Sequence, residues 1–459
     1  MAVLIRNEVD GVRLVVQSFA MVIIIGALLL FTPWSAADPA GHPVSWLDAL
    51  FTSTSAVCVT GLVTLDTGQD FSFLGQAVIL ALIQVGGLGF LTFTNFFIAI
   101  QGGRLDFMRR AMLATTHGTL PGEVHPGALL RHIVLFTFAL EGVGAVLLTG
   151  RFALEMPFTE ALWMGIFYSI SAFCNAGFGL LSDSLMPYRD DPLVNLTIMG
   201  LIVTGGLGFV VFTDLSHRLV LWRRGQPGRL SLHSRMVLIM TGILVPLGTV
   251  LFFLLEQGGT AAGENGVSSA LSALFLSITS RTAGFNTIDT ARLTAPTLYL
   301  VILFMAVGGS PGSTAGGMKT TTVGIMAAML MSRLRNREGV EFLDRTIPAQ
   351  AVLTAMLTFA AFAVLAVAGF LALLISETGL QAYDPAHDRS LALLFETVSA
   401  LATVGLSTGV TAGLSAIGKV IIIVLMFVGR LGPLVLGLTL MGRRPRERYK
   451  LPDESVNVG

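Results

Sequence analysis

Long apolar runs dominate the pattern of hydrophobic and polar positions along the chain. About 20 apolar residues cross a bilayer as a helix, and eight runs reach that length. They cover 14–32, 72–100, 130–150, 192–215, 235–256, 297–330, 349–376 and 414–441. Between the two members of each consecutive pair lies a half-length apolar run that ends in a glycine-bearing turn. A run this short cannot cross the bilayer and is typical of a re-entrant helix.

The four half-length runs align with one another. They read "ALFTSTSAVCVTGL" (49–62), "GIFYSISAFCNAGF" (165–178), "ALFLSITSRTAGF" (273–285) and "LLFETVSALATVGL" (393–406). Each has Phe near its start, Ser or Thr in its middle, and a glycine before its last apolar residue. These glycines are Gly61, Gly177, Gly284 and Gly405. The runs are therefore copies of one unit.

A second motif recurs downstream of each glycine. It reads "GGLGF" (86–90), "GGLGF" (205–209), "GGSPG" (308–312) and "GRLGP" (429–433). Two motifs in fixed order, four times over, predict an all-α integral membrane protein built from four repeats. Each repeat has an outer helix, a pore helix and an inner helix, so that eight spanning helices surround one pseudo-four-fold pore. The predicted repeats cover 1–103, 104–222, 223–340 and 341–459.

The glycine turns suit a cation filter. A pore that strips water from a cation must replace it with oxygen ligands, and backbone carbonyls in four converging turns supply them. Aiming successive carbonyls inward requires backbone angles that glycine reaches at low cost. The candidate filter residues are Val59, Thr60, Gly61, Asn175, Ala176, Gly177, Thr282, Ala283, Gly284, Thr403, Val404 and Gly405. The fourth turn, Thr403-Val404-Gly405, is the most similar to the Thr-Val-Gly of potassium channel filters.

Composition agrees with a membrane protein. The 459 residues are 53% hydrophobic and only 12% charged, with a mean hydropathy of +0.78. The net charge is zero, which gives no case for binding nucleic acid. The two cysteines, Cys58 and Cys174, stand three residues before their filter glycines, where a packing role is favoured over a redox pair.

Three basic residues fall inside the repeat motifs: Arg281, Lys319 and Arg430. A charge at the centre of a membrane helix costs about 2.5 kcal/mol or more. Arg430 aligns with Gly87, Gly206 and Gly309, so one repeat places a cation where three place no side chain. Two hypotheses stay open for Arg430, a barrier to cation passage or a structural salt bridge.

Two acidic residues, Glu141 and Glu396, also lie within apolar runs. Buried carboxylates usually have partners, and Arg281 is a candidate partner for Glu396.

The stretch "GGSPGSTAGGMKTTT" (308–322) superficially suggests a phosphate-binding loop. Met318 separates Gly317 from Lys319, however, and no strand precedes the stretch, so a flexible break that lines the cavity below the filter is the better interpretation.

On these filter segments, together with "SRTAGFNT" (280–287), "GGSPGSTAGGMKTTT" and "GRLGP", the chain resembles the Trk/Ktr/HKT superfamily of potassium transporters over nearly its whole length. It is most similar to the eight-helix Ktr-type membrane subunit. The resemblance implies potassium, and possibly sodium, as the ion in the pore, with no other cofactor on this chain. It also implies a homodimer on a cytoplasmic ring of nucleotide-binding regulatory subunits. Gly61, in place of the Ser of sodium-preferring plant relatives, favours potassium.

The resemblance further implies that the stretch 308–322 is a loop within the membrane that acts as a gate. The candidate gate residues are Gly308, Gly309, Ser310, Gly312, Ser313, Gly316, Gly317, Lys319 and Arg430. A passive kink in the helix is the alternative.

Charge placement predicts the orientation. Twenty of the 28 Lys and Arg residues lie in the termini and the loops that join repeats, which places both termini in the cytoplasm. The resemblance implies the inner, or plasma, membrane. The basic stretch at 218–235 is suited to binding anionic lipid or a partner protein.

A secondary carrier for an organic solute and a membrane-embedded enzyme are alternative functions. Carriers usually show two-fold repeats, and the spans lack paired acid and base groups, so neither is favoured.

Overall fold

The computed structural model describes residues 2–100, 126–226, 228–260, 266–379 and 389–432. Its helices, in chain order, are α1 (Ala2–Leu30), α2 (Trp46–Val57), α3 (Phe73–Ile100), α4 (Pro126–Phe152), α5 (Phe158–Cys174), α6 (Pro192–Leu207), α7 (Phe209–Arg223), α8 (Leu232–Leu255), α9 (Gly266–Thr279), α10 (Ala295–Met305), α11 (Thr320–Leu334), α12 (Ala349–Thr378), α13 (Ser390–Leu401) and α14 (Ala416–Leu431). The four half-length runs form α2, α5, α9 and α13, which we call the short helices.

Three of the described helices, α4, α8 and α12, are long and apolar enough to cross a membrane, and α6 with α7 makes a fourth if the pair is one span. The eight-span count therefore stays a prediction. So do the repeat boundaries, of which the one between 103 and 104 lies outside the described residues. The same holds for the predicted end of the last span, 433–441.

Two of the predicted spans are not single helices. The expectation of one helix over 192–215 is wrong, because α7 leaves α6 at an angle of 95°. Gly208 between them has a φ of 81°, outside the helical region. In the span predicted at 297–330, α10 ends at Met305 and α11 begins at Thr320, so the break expected there is present.

Each short helix packs on the helix that precedes it. In three repeats a Ser hydroxyl of the short helix donates to a carbonyl of that outer helix. The pairs are Ser53 with Ile23 at 2.7 Å, Ser169 with Glu141 at 2.6 Å, and Ser277 with Val245 at 2.8 Å. A glycine three residues beyond each carbonyl makes room: a Cβ at Gly26, Gly144 or Gly248 would lie 2.4 to 2.5 Å from the Ser oxygen. In the fourth repeat Thr397 donates within its own helix, to Leu393.

In the first, second and fourth repeats, the second sequence motif is the contact between the inner helix and the end of the short helix. A Cβ added at its first glycine would lie about 2 Å from the last backbone carbonyls of the short helix. The pairs are Gly86 with Val57 at 2.1 Å, Gly205 with Phe173 at 2.0 Å, and Gly429 with Leu401 at 2.0 Å. Only glycine permits two backbones to approach this closely. This contact explains why the motif begins with glycine.

The outer helix also holds the start of the inner helix. In the third repeat Oε1 of Glu256 accepts from the N–H and the hydroxyl of Thr294, the N-cap of α10, both at 3.0 Å. In the fourth, Glu377 accepts from the hydroxyl of Ser415, the N-cap of α14, at 2.7 Å. The N-cap carboxylate of Asp191 pairs with Arg151 in the second. A glutamate that accepts from an N-cap hydroxyl thus makes this connection in two repeats, and an ion pair makes it in a third.

A two-stranded antiparallel hairpin, β1 (Glu341–Phe342) and β2 (Arg345–Thr346), joins α11 to α12. Arg235 contacts its turn, with the guanidinium 2.8 Å from Asp344. The hydrogen bond from this guanidinium lowers the pKa of the Asp344 carboxyl. The hairpin therefore anchors the connection between the last two repeats to α8.

Candidate functional site

Each short helix ends in a turn with left-handed backbone at two positions. Two residues before each glycine, a non-glycine residue has a positive φ: Val59 at 55°, Asn175 at 60°, Thr282 at 71° and Thr403 at 50°. The glycines have φ values of 94° at Gly61, 71° at Gly177, 80° at Gly284 and 93° at Gly405. Left-handed backbone at a β-branched residue costs about 1–3 kcal/mol. The sequence predicted this backbone at the glycines but not at the residues before them.

A hydroxyl in the last turns of each short helix fixes the turn that follows. The four residues are Ser55, Ser171, Thr279 and Ser399. Their carbonyls accept from the backbone N–H of the residue before each of these glycines: Thr60 at 2.8 Å, Ala176 at 2.7 Å, Ala283 at 3.0 Å and Val404 at 2.8 Å. Their side chains bond the backbone at or just after the glycine. Sequence reasoning did not single these residues out, although the Ser or Thr in the middle of each aligned run was the signal.

The hydroxyl bonds differ among the four turns. The Ser399 hydroxyl accepts from Gly405 N–H at 3.1 Å and donates to the Leu406 carbonyl at 2.7 Å. Ser55 accepts from Gly61 N–H at 3.1 Å. Ser171 and Thr279 donate to the carbonyls of Phe178 and Phe285, each at 2.7 Å. The fourth turn is thus held at two backbone groups by one side chain.

The four turns meet in a ring. A Cβ added at each glycine would strike a carbonyl oxygen of the next turn along the chain. The distances are 2.4 Å from Gly61 to Ala176, 2.8 Å from Gly177 to Ala283, 2.5 Å from Gly284 to Val404, and 2.0 Å from Gly405 back to Thr60. The last contact closes the ring in chain order. The structure therefore brings all twelve predicted filter residues together.

The side chains of the turns are buried. Those of Val59, Thr60, Asn175, Ala176, Thr282, Ala283, Thr403 and Val404 are at most 1% exposed. The Asn175 amide, in the orientation that satisfies both its groups, donates to the carbonyls of Ile202 and Ala172. The oxygen atoms that lie at the contacts between neighbouring turns are backbone carbonyls.

The segment between α10 and α11, residues 306–319, lies directly against the fourth turn. A Cβ added at Gly316 would lie 1.8 Å from the Thr403 hydroxyl oxygen. We call this segment the intramembrane loop. Gly308 N–H donates to the Met318 carbonyl at 2.8 Å, and Thr320 N–H to that of Gly309 at 2.9 Å, so the loop's two ends pair with each other. Its two left-handed residues are Gly312, with φ 74°, and Gly317, with φ 64°.

The loop also replaces the helical hydrogen bonds at the bend between α6 and α7. Thr314 N–H donates to the Gly205 carbonyl at 3.3 Å, and Ser310 N–H to that of Gly206 at 2.9 Å. The Ser310 hydroxyl bonds the Leu207 carbonyl. In return, the Phe209 N–H donates to Gly312 at 3.3 Å. The bend therefore exists because the loop supplies its partners.

Buried hydroxyls fix the shape of the loop. Ser313 donates to the Ser310 carbonyl at 2.7 Å, and Thr314 donates to the carbonyl of Phe173, in the last turn of α5, at 3.1 Å. All three side chains are 1% exposed. Thr314 was absent from the predicted gate residues, yet it contacts two neighbouring helices. Its place in the middle of the quoted stretch was the available signal.

All three basic residues of the repeat motifs donate to carbonyls of this loop. Arg430 reaches the Thr314 carbonyl at 2.5 Å with one guanidinium nitrogen and the Gly86 carbonyl in α3 at 2.9 Å with the other. Lys319 donates to Ala315 at 2.7 Å, and Arg281 to Gly308 at 3.4 Å. Hydrogen bonds from charged donors are worth about 1.5–3 kcal/mol each. Arg430, at 3% exposed, thus clamps the loop to the first repeat.

The hypothesis that Arg281 pairs with Glu396 is wrong. The Glu396 carboxylate accepts from the Ser407 hydroxyl at 2.6 Å, the Thr408 N–H at 3.0 Å and the Thr411 hydroxyl at 2.7 Å. These partners follow the turn at 403–405, so local donors satisfy the carboxylate. Glu141 accepts two bonds from Gln84, both at 3.1 Å.

Cys58 and Cys174 are free and fully buried. Gly87 packs directly on Cys174: a Cβ there would lie 2.7 Å from the sulfur. This contact fits the predicted packing role.

The fold and the site define a helical membrane protein in which four helix-ending turns meet in a ring beside an intramembrane loop. Residues 7–449 match the family model described as TrkH, cation transport protein. The chain belongs to this family of cation transport proteins.

Similar proteins match almost end to end. The chain is 36% identical to the potassium/sodium uptake protein NtpJ of Enterococcus hirae, with 99% of this chain and 98% of that protein covered. It is 37% identical to the Ktr system potassium uptake protein B of Vibrio alginolyticus, with 97% and 94% covered. Among solved structures, the potassium transporter TrkH from Vibrio parahaemolyticus has a TM-score of 0.71 and 21% identity, with 94% of this chain and 85% of that chain covered. That likeness shows the fold.

Proposed function

We propose that the chain is the potassium-translocating subunit of a Ktr- or Trk-type uptake system in the inner, or plasma, membrane. The observation that carries the proposal is the closed ring of four glycine turns. Two relatives that match almost the whole chain are named as potassium uptake proteins, one of them also for sodium. The ring is the part of the molecule that we propose binds the potassium ion.

The ring's carbonyls replace the hydration shell of potassium. Left-handed backbone at Val59 and Gly61, and at the matching pairs of the other turns, directs successive carbonyls toward the axis. The hydroxyls of the short helices hold each turn while an ion passes. A smaller sodium ion fits a ring of fixed size less well, so selectivity depends on how rigidly the turns are held.

The intramembrane loop is the gate of this pathway. It lies against Thr403, and its hydrogen bonds with α6 and Arg430 hold it beside the ring, which supports this role. Conduction requires the loop to leave these contacts. Three cations beside the path also repel an entering ion: unit charges 4 Å apart interact by about 4 kcal/mol at an effective dielectric of 20.

The proposal extends to the rest of the assembly, and the repeat pattern and the family resemblance of the motifs support it. Eight spanning helices in four repeats surround the pore, and both termini face the cytoplasm. Two copies form a homodimer on a cytoplasmic ring of nucleotide-binding regulatory subunits. Potassium, with sodium as a competing or coupled ion, is the only species that the pore must hold.

A secondary carrier for an organic solute is the alternative. Four turns in one ring support it less well than an ion pore, because carriers are usually built from two-fold repeats. An enzyme is not favoured, since the family is one of transport proteins.

Rubidium uptake into proteoliposomes tests the proposal. We expect purified protein to take up rubidium, with excess potassium suppressing uptake far more than sodium or lithium. Uptake that potassium fails to suppress contradicts the proposal, and so does uptake that an organic solute drives. Empty liposomes are the control.

A further inference from the structure

One position in the short helices differs in every repeat. It follows the Phe near the start of each aligned run, and that Phe is at most 1% exposed in all four. The variable residues are Thr52, Tyr168, Leu276 and Glu396. All four are at most 3% exposed. They occupy matching places behind the filter turns, and their chemistry decides what each can hold.

Glu396 holds the chain that leaves the fourth filter turn. One carboxylate oxygen accepts from the Ser407 hydroxyl at 2.6 Å and from the Thr408 N–H at 3.0 Å, and the other from the Thr411 hydroxyl at 2.7 Å. Ser407 stands two residues after Gly405. A single side chain therefore fixes both the start and the end of the segment 407–411, with hydrogen bonds to a charged acceptor.

Tyr168 does a similar task in the second repeat with a single bond. Its phenol oxygen accepts from the Leu181 N–H at 3.2 Å. Gly179 packs on the same oxygen, since a Cβ there would lie 2.7 Å from it. The segment that leaves the second filter turn is thus anchored to its own short helix, as in the fourth repeat.

The first and third repeats lack such an anchor at this position. Leu276 has no polar atom. The hydroxyl of Thr52 has no hydrogen-bond partner among the described residues. Each turn of the ring touches its chain neighbours, so the second and fourth turns lie opposite each other. Turns with and without an anchor at this position therefore alternate around the ring.

We propose that Glu396 is a positioning residue that sets potassium selectivity by fixing the outer end of the fourth filter turn, with Tyr168 in the same role across the ring. The inference rests on the proposed filter and goes beyond it. Neither side chain touches the ion. The anchors at this position accordingly have two-fold symmetry, although the backbone of the ring is four-fold, and discrimination between potassium and sodium depends mainly on the second and fourth turns.

The test is Glu396→Gln in proteoliposomes, read as the ratio of the sodium to the potassium concentration that halves rubidium uptake. Glutamine keeps the shape but removes the charge, so its oxygen bonds Ser407 and the Thr408 N–H as a neutral acceptor, and its N–H₂ group replaces the oxygen that accepts from the Thr411 hydroxyl. We expect the ratio to fall about tenfold, as for the loss of one charge-assisted hydrogen bond. Tyr168→Phe is expected to lower it less, because only one bond is lost.

Glu256→Gln is the matched control. Glu256 is also buried and also accepts from Thr hydroxyls and N–H groups, but it joins an outer helix to an inner helix. It is expected to lower thermal stability without changing the ratio. If Glu396→Gln does not yield folded protein, Thr411→Val supplies the test, since it removes one partner and keeps the carboxylate. An unchanged ratio in a folded Glu396 or Thr411 variant overturns the inference.

Gly177→Ala separates this inference from the proposed function. Gly177 is the least crowded of the four filter glycines, with its nearest clash at 2.8 Å. If Gly177→Ala lowers the ratio and Glu396→Gln does not, the filter stands and the role of Glu396 falls. If neither changes the ratio in folded protein, the filter assignment itself is wrong.

Discussion

The ammonium of Lys419 donates to the carboxylate of Asp48 at 2.7 Å, and both side chains are 16% exposed. Asp48 is in the first turn of α2, and Lys419 is near the start of α14. The pair therefore joins the first short helix to the last inner helix. Together with the contact of Gly405 on Thr60, it closes the ring between the two ends of the chain.

Lys419→Met and Asp48→Asn are each expected to lower the free energy of unfolding by about 1–2 kcal/mol, because each leaves a partly buried charge or acceptor without its partner. The double variant should lose less than the sum. Thermal unfolding in detergent measures the coupling. The exposed pair Arg337 and Glu341 is the control and should show almost none. Strict additivity at Lys419 and Asp48 argues against ring closure by this pair.

Gly61→Ser is expected to reduce discrimination between potassium and sodium. The added Cβ would meet the Ala176 carbonyl oxygen at 2.4 Å, at a φ that side chains rarely adopt, so two turns must shift. Competition of sodium against rubidium uptake measures the effect. Gly200→Ala is the matched control, because no atom lies within 4 Å of the added carbon. Wild-type competition in folded Gly61→Ser protein would count against the filter.

Ser399→Ala should lower selectivity more than Ser171→Ala. The Ser399 hydroxyl bonds two backbone groups of its turn, whereas that of Ser171 bonds one. Each lost hydrogen bond costs about 1 kcal/mol, and more where a buried N–H is left unsatisfied. The same competition assay ranks the two variants. Equal effects would show that the extra bond to Gly405 N–H is not needed.

Arg430→Ala is expected to increase the maximal rate of rubidium uptake with little change in selectivity, because it frees the Thr314 carbonyl and leaves the filter intact. Arg430→Lys should increase the rate partly, since one ammonium cannot reach both Thr314 and Gly86 as the guanidinium does. The exposed Arg218→Ala is the control. A drop in rate with loss of thermal stability would mean that Arg430 serves the fold and not the barrier.

Deleting residues 312–317 should also raise flux. The deletion removes Thr314, which bonds Gly205, Phe173 and Arg430, and Gly316, which packs on Thr403. Uptake should then depend less on a cytoplasmic regulatory partner. Flux at or below the wild-type level in folded protein would favour a passive kink, the alternative to a gate.

Local sequence located the turns but not everything that surrounds them. The aligned glycines identified the four turns because a close approach of two backbones requires glycine, and glycine is visible in the sequence. The bend at Gly208 left none: the same pentapeptide, "GGLGF", lies within the continuous helix α3 at 86–90 and at the bend at 205–209. The two copies differ in the hydrogen-bond partners of their backbone, since only the copy at 205–209 receives hydrogen bonds from the intramembrane loop. The partner of Arg281 was likewise not predictable. It is the Gly308 backbone carbonyl and not the Glu396 side chain, and a sequence does not show which backbone carbonyls lie near a side chain.

The positive groups around the intramembrane loop have a consequence for how an ion enters it. Carbonyl oxygens are what a dehydrated potassium ion seeks, and Gly308, Thr314 and Ala315 offer theirs to Arg281, Arg430 and Lys319. In the terms of an ion exchanger, the closed loop carries its own fixed occupants. A mobile cation can bind one of these carbonyls only after the Arg or Lys side chain that bonds it has moved away. The loop, without that hydrogen bond, is then free to change its conformation.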